Sequence, residues 1–294
     1  MRKIRTLITD FDNTLYDWAG FHIPAFAAML DTLVAESAVD RDDLITEFRA
    51  VHQQHGTSEY AFSISELPSL QRLRPGEDLR EVYTNAVEAY RRVREQNLSL
   101  YPGVMTTLRR IRATGCKIVV YTESMAFYSN YRIRYFGLDG LIDYLYSPKD
   151  HDIPHGLNPE QIRRYPASNY ELKHTLHRHT PAGILKPSER VLLSIIAEVG
   201  GSVEDTLYVG DSLVKDIQMA QDARVQNAWA KYGEAHQRTD LDYDLLRAVS
   251  HWPDEMIQKE REGDVPQPGI VLQENFSEVF EHFEFEGRSK YKND

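Results

Sequence analysis

The chain has 294 residues, enough at ~150 residues per domain for one large or two smaller compact units. Hydrophobic residues make up 41% and charged residues 27%, which excludes a disordered, collagenous or coiled-coil chain. Asp and Glu number 45 against 34 Lys and Arg, a net charge of −11, so the field that draws nucleic acid or anionic lipid is missing. Neither nucleic acid nor membrane is therefore an expected partner. The single cysteine, Cys116, permits no intrachain disulfide and fits a reducing compartment. No apolar run approaches the ~20 residues that span a bilayer. The apolar stretch behind Met1-Arg2-Lys3 dies at Asp10, too short for a signal sequence. A cytoplasmic protein is the expectation.

In chain order, 4–9 is a short apolar-rich run that stops at Asp10-Phe11-Asp12, the pattern of a buried strand. From Asp17 to Asn97 the periodicity is helical. Ala25, Met29, Leu30 and Leu33 share one face, and Asp40 is an N-cap for a helix carrying Leu44, Ile45 and Phe48. Leu79, Val82, Tyr83, Ala86, Tyr90 and Val93 form a stripe on one longer helix. After Tyr101-Pro102-Gly103, strands and helices alternate. Strands are expected at 117–122, 141–146, 206–209, 227–230 and 270–272. Helices are expected at 103–114, after 122 as far as Gly137, at 187–199 and at 216–222. Phe276, Val279, Phe280 and Phe283 suggest a closing helix.

Strands separated by helices imply a parallel sheet with right-handed crossovers, which binds ligands outside the carboxyl ends of its strands. The expected fold is α/β: a three-layer Rossmann-like core with a parallel sheet, plus a smaller all-helical cap inserted after the first strand. The core takes 1–16 and 100–286, with insertions at about 148–183 and 233–267; the helical unit takes 17–99, and 287–294 is a frayed polar tail. The first insertion is expected to lie outside the sheet. Its Arg163, Arg164 and Tyr165 either reach a substrate or belong to a surface flap or dimer contact. Oligomeric state stays open.

The strand ends carry a restricted set of side chains. The first ends in Asp10, Asp12 and Thr14, the second in Thr122, and the fourth in Gly210-Asp211-Ser212 with Asp216 close behind. Lys186 stands just before Pro187 at a helix start. Clustered carboxylates repel and need a cation, and oxygen-only ligands suit Mg²⁺. A metal, a lysine and a hydroxyl together suit the spread negative charge of a phosphate.

These residues resemble the four motifs of the haloacid dehalogenase superfamily: Asp10-Phe11-Asp12-Asn13-Thr14-Leu15, then Thr122, then Leu185-Lys186-Pro187, then Gly210-Asp211-Ser212-Leu213-Val214-Lys215-Asp216. The resemblance covers about 1–15, 100–147 and 184–232. It implies hydrolysis of a small phosphorylated metabolite. Asp10 would be the nucleophile, and Asp12 the general acid and then the base. Thr122 and Lys186 would bind the phosphoryl oxygens. Asp10, Asp211 and the Asp12 backbone carbonyl would ligate Mg²⁺, with Asp216 holding the metal's waters or steadying Lys186. Asp12 points to phosphoryl transfer, because relatives that displace halide from carbon need no acid there. Phe11-Asp12-Asn13-Thr14-Leu15-Tyr16 is similar to the variant in nucleotidase-like phosphatases, although many relatives have Gly at the position of Asn13. A phosphomutase or a non-catalytic interaction protein on the same core are the alternatives. A Schiff-base phosphonate hydrolase is disfavoured, since 16–100 contain no Lys.

Three further features invite weaker readings. His151, His155, His174, His177 and His179 crowd the first insertion, with His174 and His177 spaced to share one helical turn over a metal. The runs 90–94 and 131–135 mix Tyr with Arg and read as solvated helix faces, or as a source of one Arg for an anionic substrate. Cys116 reads as an inert core thiol.

Overall fold

The computed structural model describes residues 1–153, 163–255, 258 and 265–287. The chain divides into two compact units, one of Met1–Asp17, Ser99–Glu234 and Val265–Asp294, the other of Trp18–Leu98 and Ala235–Asp264.

In the first unit the described strands are β1 (Arg2–Ile4), β2 (Thr6–Thr9), β3 (Lys117–Tyr121), β4 (Tyr144–Ser147), β5 (Leu176–His179), β6 (Thr206–Gly210), β7 (Gln226–Ala230), β8 (Val271–Leu272) and β9 (Phe283–Phe285). Seven of them form one sheet in the order β5-β4-β3-β2-β6-β7-β8, every pairing parallel. This is the Rossmann-like core that the alternation implied. β2 lies at its centre and is buried along its whole length, as is β6. Both read as continuous apolar and β-branched runs because helices cover both faces of a parallel sheet. On one face Ile8, Val119, Tyr121 and Tyr208 meet Val191, Leu192, Ile195 and Ile196 of the helix Glu189–Glu198. Each such side chain contributes ~1.5–3 kcal/mol on burial. Cys116 lies among the core residues, and burial pushes its thiol up to about 12, so it is inert as expected.

The structure changes several details of the sequence reading. The first strand breaks at Arg5 into β1 and β2. The closing helix ends at His282, and Phe283 instead opens β9, which pairs with β1 while Glu286 takes Lys3 Nζ at 2.8 Å and Arg5 Nη2 at 2.7 Å. The third is the first insertion: it does not stay outside the sheet, because Leu176–His179 adds to β4 as an edge strand. Asp139 explains the detour. Its carboxylate accepts the backbone N–H groups of Lys173, His174 and Thr175 and an Arg134 N–H, which lays the returning chain along β4. The tail 288–294, His155 and residues 154–162 of the insertion lie outside the described residues.

The second unit is helical: α1 (Trp18–Ser37), α2 (Arg41–His55), α3 (Pro68–Leu73), α4 (Leu79–Val82), α5 (Thr84–Asn97) and, from the late segment, Tyr243–Val249. Asp40 caps α2 as expected, accepting from Asp42 N and Asp43 N. The long stripe at 79–93 is interrupted at Tyr83, giving α4 and α5. A further change is the late insertion, 233–267 in the sequence reading, whose described residues between Ala235 and Asp264 pack with this helical unit instead. Arg49 Nη1 donates to Arg247 O at 2.7 Å, His52 bonds Val249 O at 2.6 Å, and Ser58 bonds His251 at 2.9 Å. α1 is long and apolar enough to meet the length criterion for a membrane span, which corrects the expectation of none, but half of it is buried against protein. Its buried positions run from Trp18 to Leu33; the helix packs mainly on α5, and Phe26 meets Phe48 of α2 edge-on.

Removing the Asp139 carboxylate tests the edge-strand account. Asp139→Ala should speed amide exchange of Leu176–His179 by about tenfold or more, the equivalent of one charge-assisted hydrogen bond of ~1.5 kcal/mol. The amides of β2 should stay protected. Unchanged exchange at β5 would show that the strand is held by its own pairing.

Candidate active site

The carboxyl end of β2 is continued by one more ladder bond, Asp10 N to Val209 O at 2.8 Å, and then turns sharply, with Leu15 N returning to Phe11 O at 2.9 Å. The turn needs a left-handed residue, and Asn13 supplies it with φ 54°. Asn is one of the few non-glycine residues that tolerate this region. The outside of the turn is braced by Tyr232, whose hydroxyl donates to Thr14 O at 2.7 Å. Gly233 comes so close that a Cβ there would sit 1.7 Å from Asn13 O.

Asp10 is buried, and Lys186 Nζ donates to its Oδ1 at 2.5 Å and to Asp216 Oδ1 at 2.9 Å. Tyr208 OH donates to the same Asp216 oxygen at 2.7 Å, and Ser212 N to the other at 3.1 Å. Gly210 makes room for this arrangement, since a Cβ there would lie 2.4 Å from the Asp216 side chain. Thr14 Oγ1 spans Asp10 Oδ2 at 3.5 Å and Asp211 Oδ1 at 3.3 Å. Trp229 Nε1 fixes the backbone beneath by donating to Asp211 O at 2.7 Å. Asp216 therefore steadies Lys186 and at the same time stands near Asp10 and Asp211. Each of these three carboxylates has an oxygen within 4.8 Å of the others'.

Asp12 faces a different set. Its Oδ2 accepts from Ser124 Oγ at 2.7 Å and from Thr122 Oγ1 at 3.2 Å. Its Oδ1 accepts the Tyr16 hydroxyl and lies 3.5 Å from Arg132 Nη1. The strand-end Thr122 thus sits with Asp12. Motif residues from four separate stretches of sequence do converge, Asp10, Lys186, Asp211 and Asp216 in one cluster, Asp12 and Thr122 in the adjoining one. The motif reading placed Thr14 at the strand end without giving it a role, and did not single out Glu123, Ser124, Tyr208 or Lys215. Glu123 accepts from Lys186 N at 2.7 Å and from Lys215 Nζ at 2.6 Å, so it ties the lysine loop to the turn after β6. The signal was adjacency: Glu123 and Ser124 follow Thr122, and Lys215 precedes Asp216.

The weaker readings resolve differently. Arg132 is buried rather than on a solvated face, and Arg134 pairs with Asp139 at 3.0 Å. His177 lies on β5 rather than on a helix, bonded to Ser147 Oγ at 2.8 Å, and burial lowers it to about 4. Among the described residues, the one group placed to share a metal is Asp10, Asp211 and Asp216.

A model of the haloacid dehalogenase-like hydrolase family matches residues 4–224. A curated glyceraldehyde 3-phosphate phosphatase of Pyrococcus furiosus is 22% identical over 244 residues, spanning 83% of this chain and 87% of that protein. The crystal structure of a 2-haloacid dehalogenase from Pseudomonas syringae pv. Tomato aligns with a TM-score of 0.52 at 19% identity, over 95% of this chain and 97% of that one. That of a predicted phosphoglycolate phosphatase from Haemophilus somnus aligns with a TM-score of 0.48 at 15% identity, over 95% and 97%.

The electrostatics of the cluster explain what it needs. Burial first, and then the charges of Asp216 and Asp12, hold Asp10 well above the usual carboxylate range despite Lys186. Burial, Asp10 and Asp216 do the same to Asp211. Burial opposes charge on Lys186, but Asp10 and Asp216 outweigh it and hold its ammonium well above the usual range. One lysine cannot offset three carboxylates, and an all-oxygen donor set of this kind fits a hard divalent cation such as Mg²⁺. Because Asp10 and Asp211 bind protons more tightly folded than unfolded, these two groups should take stability from the metal-free chain as pH rises above about 4, the unfolded value. A cation replaces those protons, so millimolar Mg²⁺ should raise the melting temperature more at about pH 7.5 than at about pH 5. Calorimetry at the two pH values checks this, and an equal or absent shift would speak against a cation among these carboxylates.

Proposed function

This chain belongs to the haloacid dehalogenase-like hydrolase family, and from that premise we propose that it hydrolyses a small phosphate monoester with Mg²⁺ as cofactor. The observation that carries this reading is the second carboxylate, Asp12, held by Thr122 and Ser124 beside the buried Asp10. Displacing halide from carbon makes no use of such a group, whereas expelling an alkoxide from phosphorus does. The phosphatase name of the Pyrococcus furiosus relative agrees with it. The net charge of −11 favours a small substrate over nucleic acid, and the single buried cysteine suits a reducing cytoplasm.

In this mechanism an Asp10 carboxylate oxygen attacks phosphorus as the ester P–O bond breaks, giving an aspartyl-phosphate. The departing oxygen takes the electron pair and a proton from Asp12. Asp12, now a carboxylate, removes a proton from water, whose oxygen attacks the same phosphorus; Asp10 is restored and inorganic phosphate leaves. Lys186 serves the phosphoryl oxygens, as the Thr122 hydroxyl would on turning from Asp12 to the substrate, and Lys186 also offsets the repulsion between Asp10 and the incoming dianion. Asp10, Asp211 and Asp216, with the Asp12 backbone carbonyl, are the residues that would hold Mg²⁺. Bound there, it supplies positive charge against the phosphate as it transfers.

Hydrolysis of an aryl phosphate by the purified chain should stop in excess chelator and return with Mg²⁺. Asp10→Asn should have no turnover, since an amide does not attack phosphorus. Asp12→Asn should lose about 10²- to 10⁴-fold in rate. Full activity in chelator, or wild-type turnover by Asp10→Asn with deamidation excluded by mass, would overturn the reading.

A further inference from the structure

Arg132 is among the largest side chains buried in the molecule, with 1% of its surface exposed. It lies on the helix Ala126–Tyr135, which follows the loop carrying Thr122, Glu123 and Ser124. A guanidinium does not deprotonate in proteins, so its burial demands compensation. The compensation is specific. Its guanidinium carbon stands 5.3 Å from the ring centres of both Tyr16 and Tyr128, so two aromatic rings flank the charge. Its Nη1 reaches Ser124 Oγ at 3.3 Å and Asp12 Oδ1 at 3.5 Å. Ser124 Oγ in turn donates to Asp12 Oδ2 at 2.7 Å, and Tyr16 OH donates to Oδ1. Arg132 thus touches one oxygen of Asp12 directly and is linked to the other through Ser124.

A carboxylate at the rim of a turn has two free torsions, and proton transfer requires it within ~3 Å of the leaving oxygen. A buried cation that engages one oxygen directly and the other through Ser124 restricts that freedom. On the phosphohydrolase reading, we propose that Arg132 is a positioning residue for Asp12, setting where its carboxyl stands when it gives a proton to the leaving group. Arg132 itself does not touch the reacting atoms. In the first step, formation of the aspartyl-phosphate, its contribution is felt only when the leaving group needs a proton. An alkoxide needs one, and a nitrophenolate leaves without it.

The experiment compares an alkyl phosphate, glycerol 2-phosphate, with 4-nitrophenyl phosphate, using full-length chain and Mg²⁺. Arg132→Met keeps the length and removes the charge and the donors. On the alkyl ester it should lower kcat/KM, which reports the steps up to the aspartyl-phosphate and not the later water step, by about 10²-fold, the low end of general acid–base contributions. On 4-nitrophenyl phosphate the loss in kcat/KM should stay under about fivefold, because that leaving group draws little on the acid. Arg132→Lys, which restores the charge but not the planar fork, should recover part of the alkyl-ester rate. An equal loss on both esters, or no loss in a folded variant, would overturn the inference. If Arg132→Met fails to fold, the leaving-group dependence of Arg132→Lys decides in the same way. A wild-type chain inactive on both esters but binding Mg²⁺ would overturn the phosphohydrolase reading, and this inference with it.

Discussion

One ammonium group holds the site together. Lys186 Nζ stands between Asp10 and Asp216, with the rings of Tyr121 and Tyr208 at 4.7 and 5.6 Å from it. Three carboxylates in a buried pocket repel each other strongly, and removing a partner from a buried pair typically costs ~3–5 kcal/mol. The sequence separation of 176 residues between Lys186 and Asp10 is bridged by the sheet order, which sets β2 between β3 and β6. Residues from distant parts of the chain then arrive at the same strand ends. Glu123 adds a second tie to this lysine loop, binding its backbone and the Lys215 ammonium on the opposite wall.

The same turn sends two carboxylates into unlike surroundings. Asp10 is pressed by other carboxylates and relieved by one lysine, whereas Asp12 meets hydroxyl groups and a guanidinium. Environments that differ this much are how one fold gives neighbouring acidic groups different tasks. The division depends on backbone detail. Asn13 takes the left-handed turn that folds the chain back just after the two side chains, and Gly210 leaves the volume that Asp216 fills.

The sheet and the motif residues were legible in the sequence because both are local. A buried parallel strand is a continuous apolar run, and its carboxyl end is marked by the acidic or hydroxyl residue that follows it, as at Asp10, Thr122 and Asp211. The cap of α2 was legible for the same reason, since Asp40 bonds amides two and three residues ahead. What could not be read depends on partners far along the chain. The polar strand β5 has a mostly exposed face and no apolar signature; it exists because Asp139 ties down the preceding turn. Arg132 sits in a run of alternating Tyr and Arg that looks solvated until Asp12, Ser124 and two rings surround it. The late helix Tyr243–Val249 gives no hint in its own residues that its companion is α2.

That last pairing bears on the order in which the protein is made. All of β2, β3, β6 and β7 have been synthesised once the ribosome passes Ala230. The helical unit, although almost all of it is encoded between Trp18 and Leu98, still lacks the helix that supplies the Arg247 and Val249 carbonyls. His52 stays buried in the finished unit, its imidazole held neutral with a pKa lowered to about 4 and bonded to Val249 O. Until that carbonyl emerges from the ribosome, the ring has no such acceptor. Completion of the earlier-encoded unit therefore waits for a segment translated after most of the sheet, the reverse of simple N-terminal-first folding.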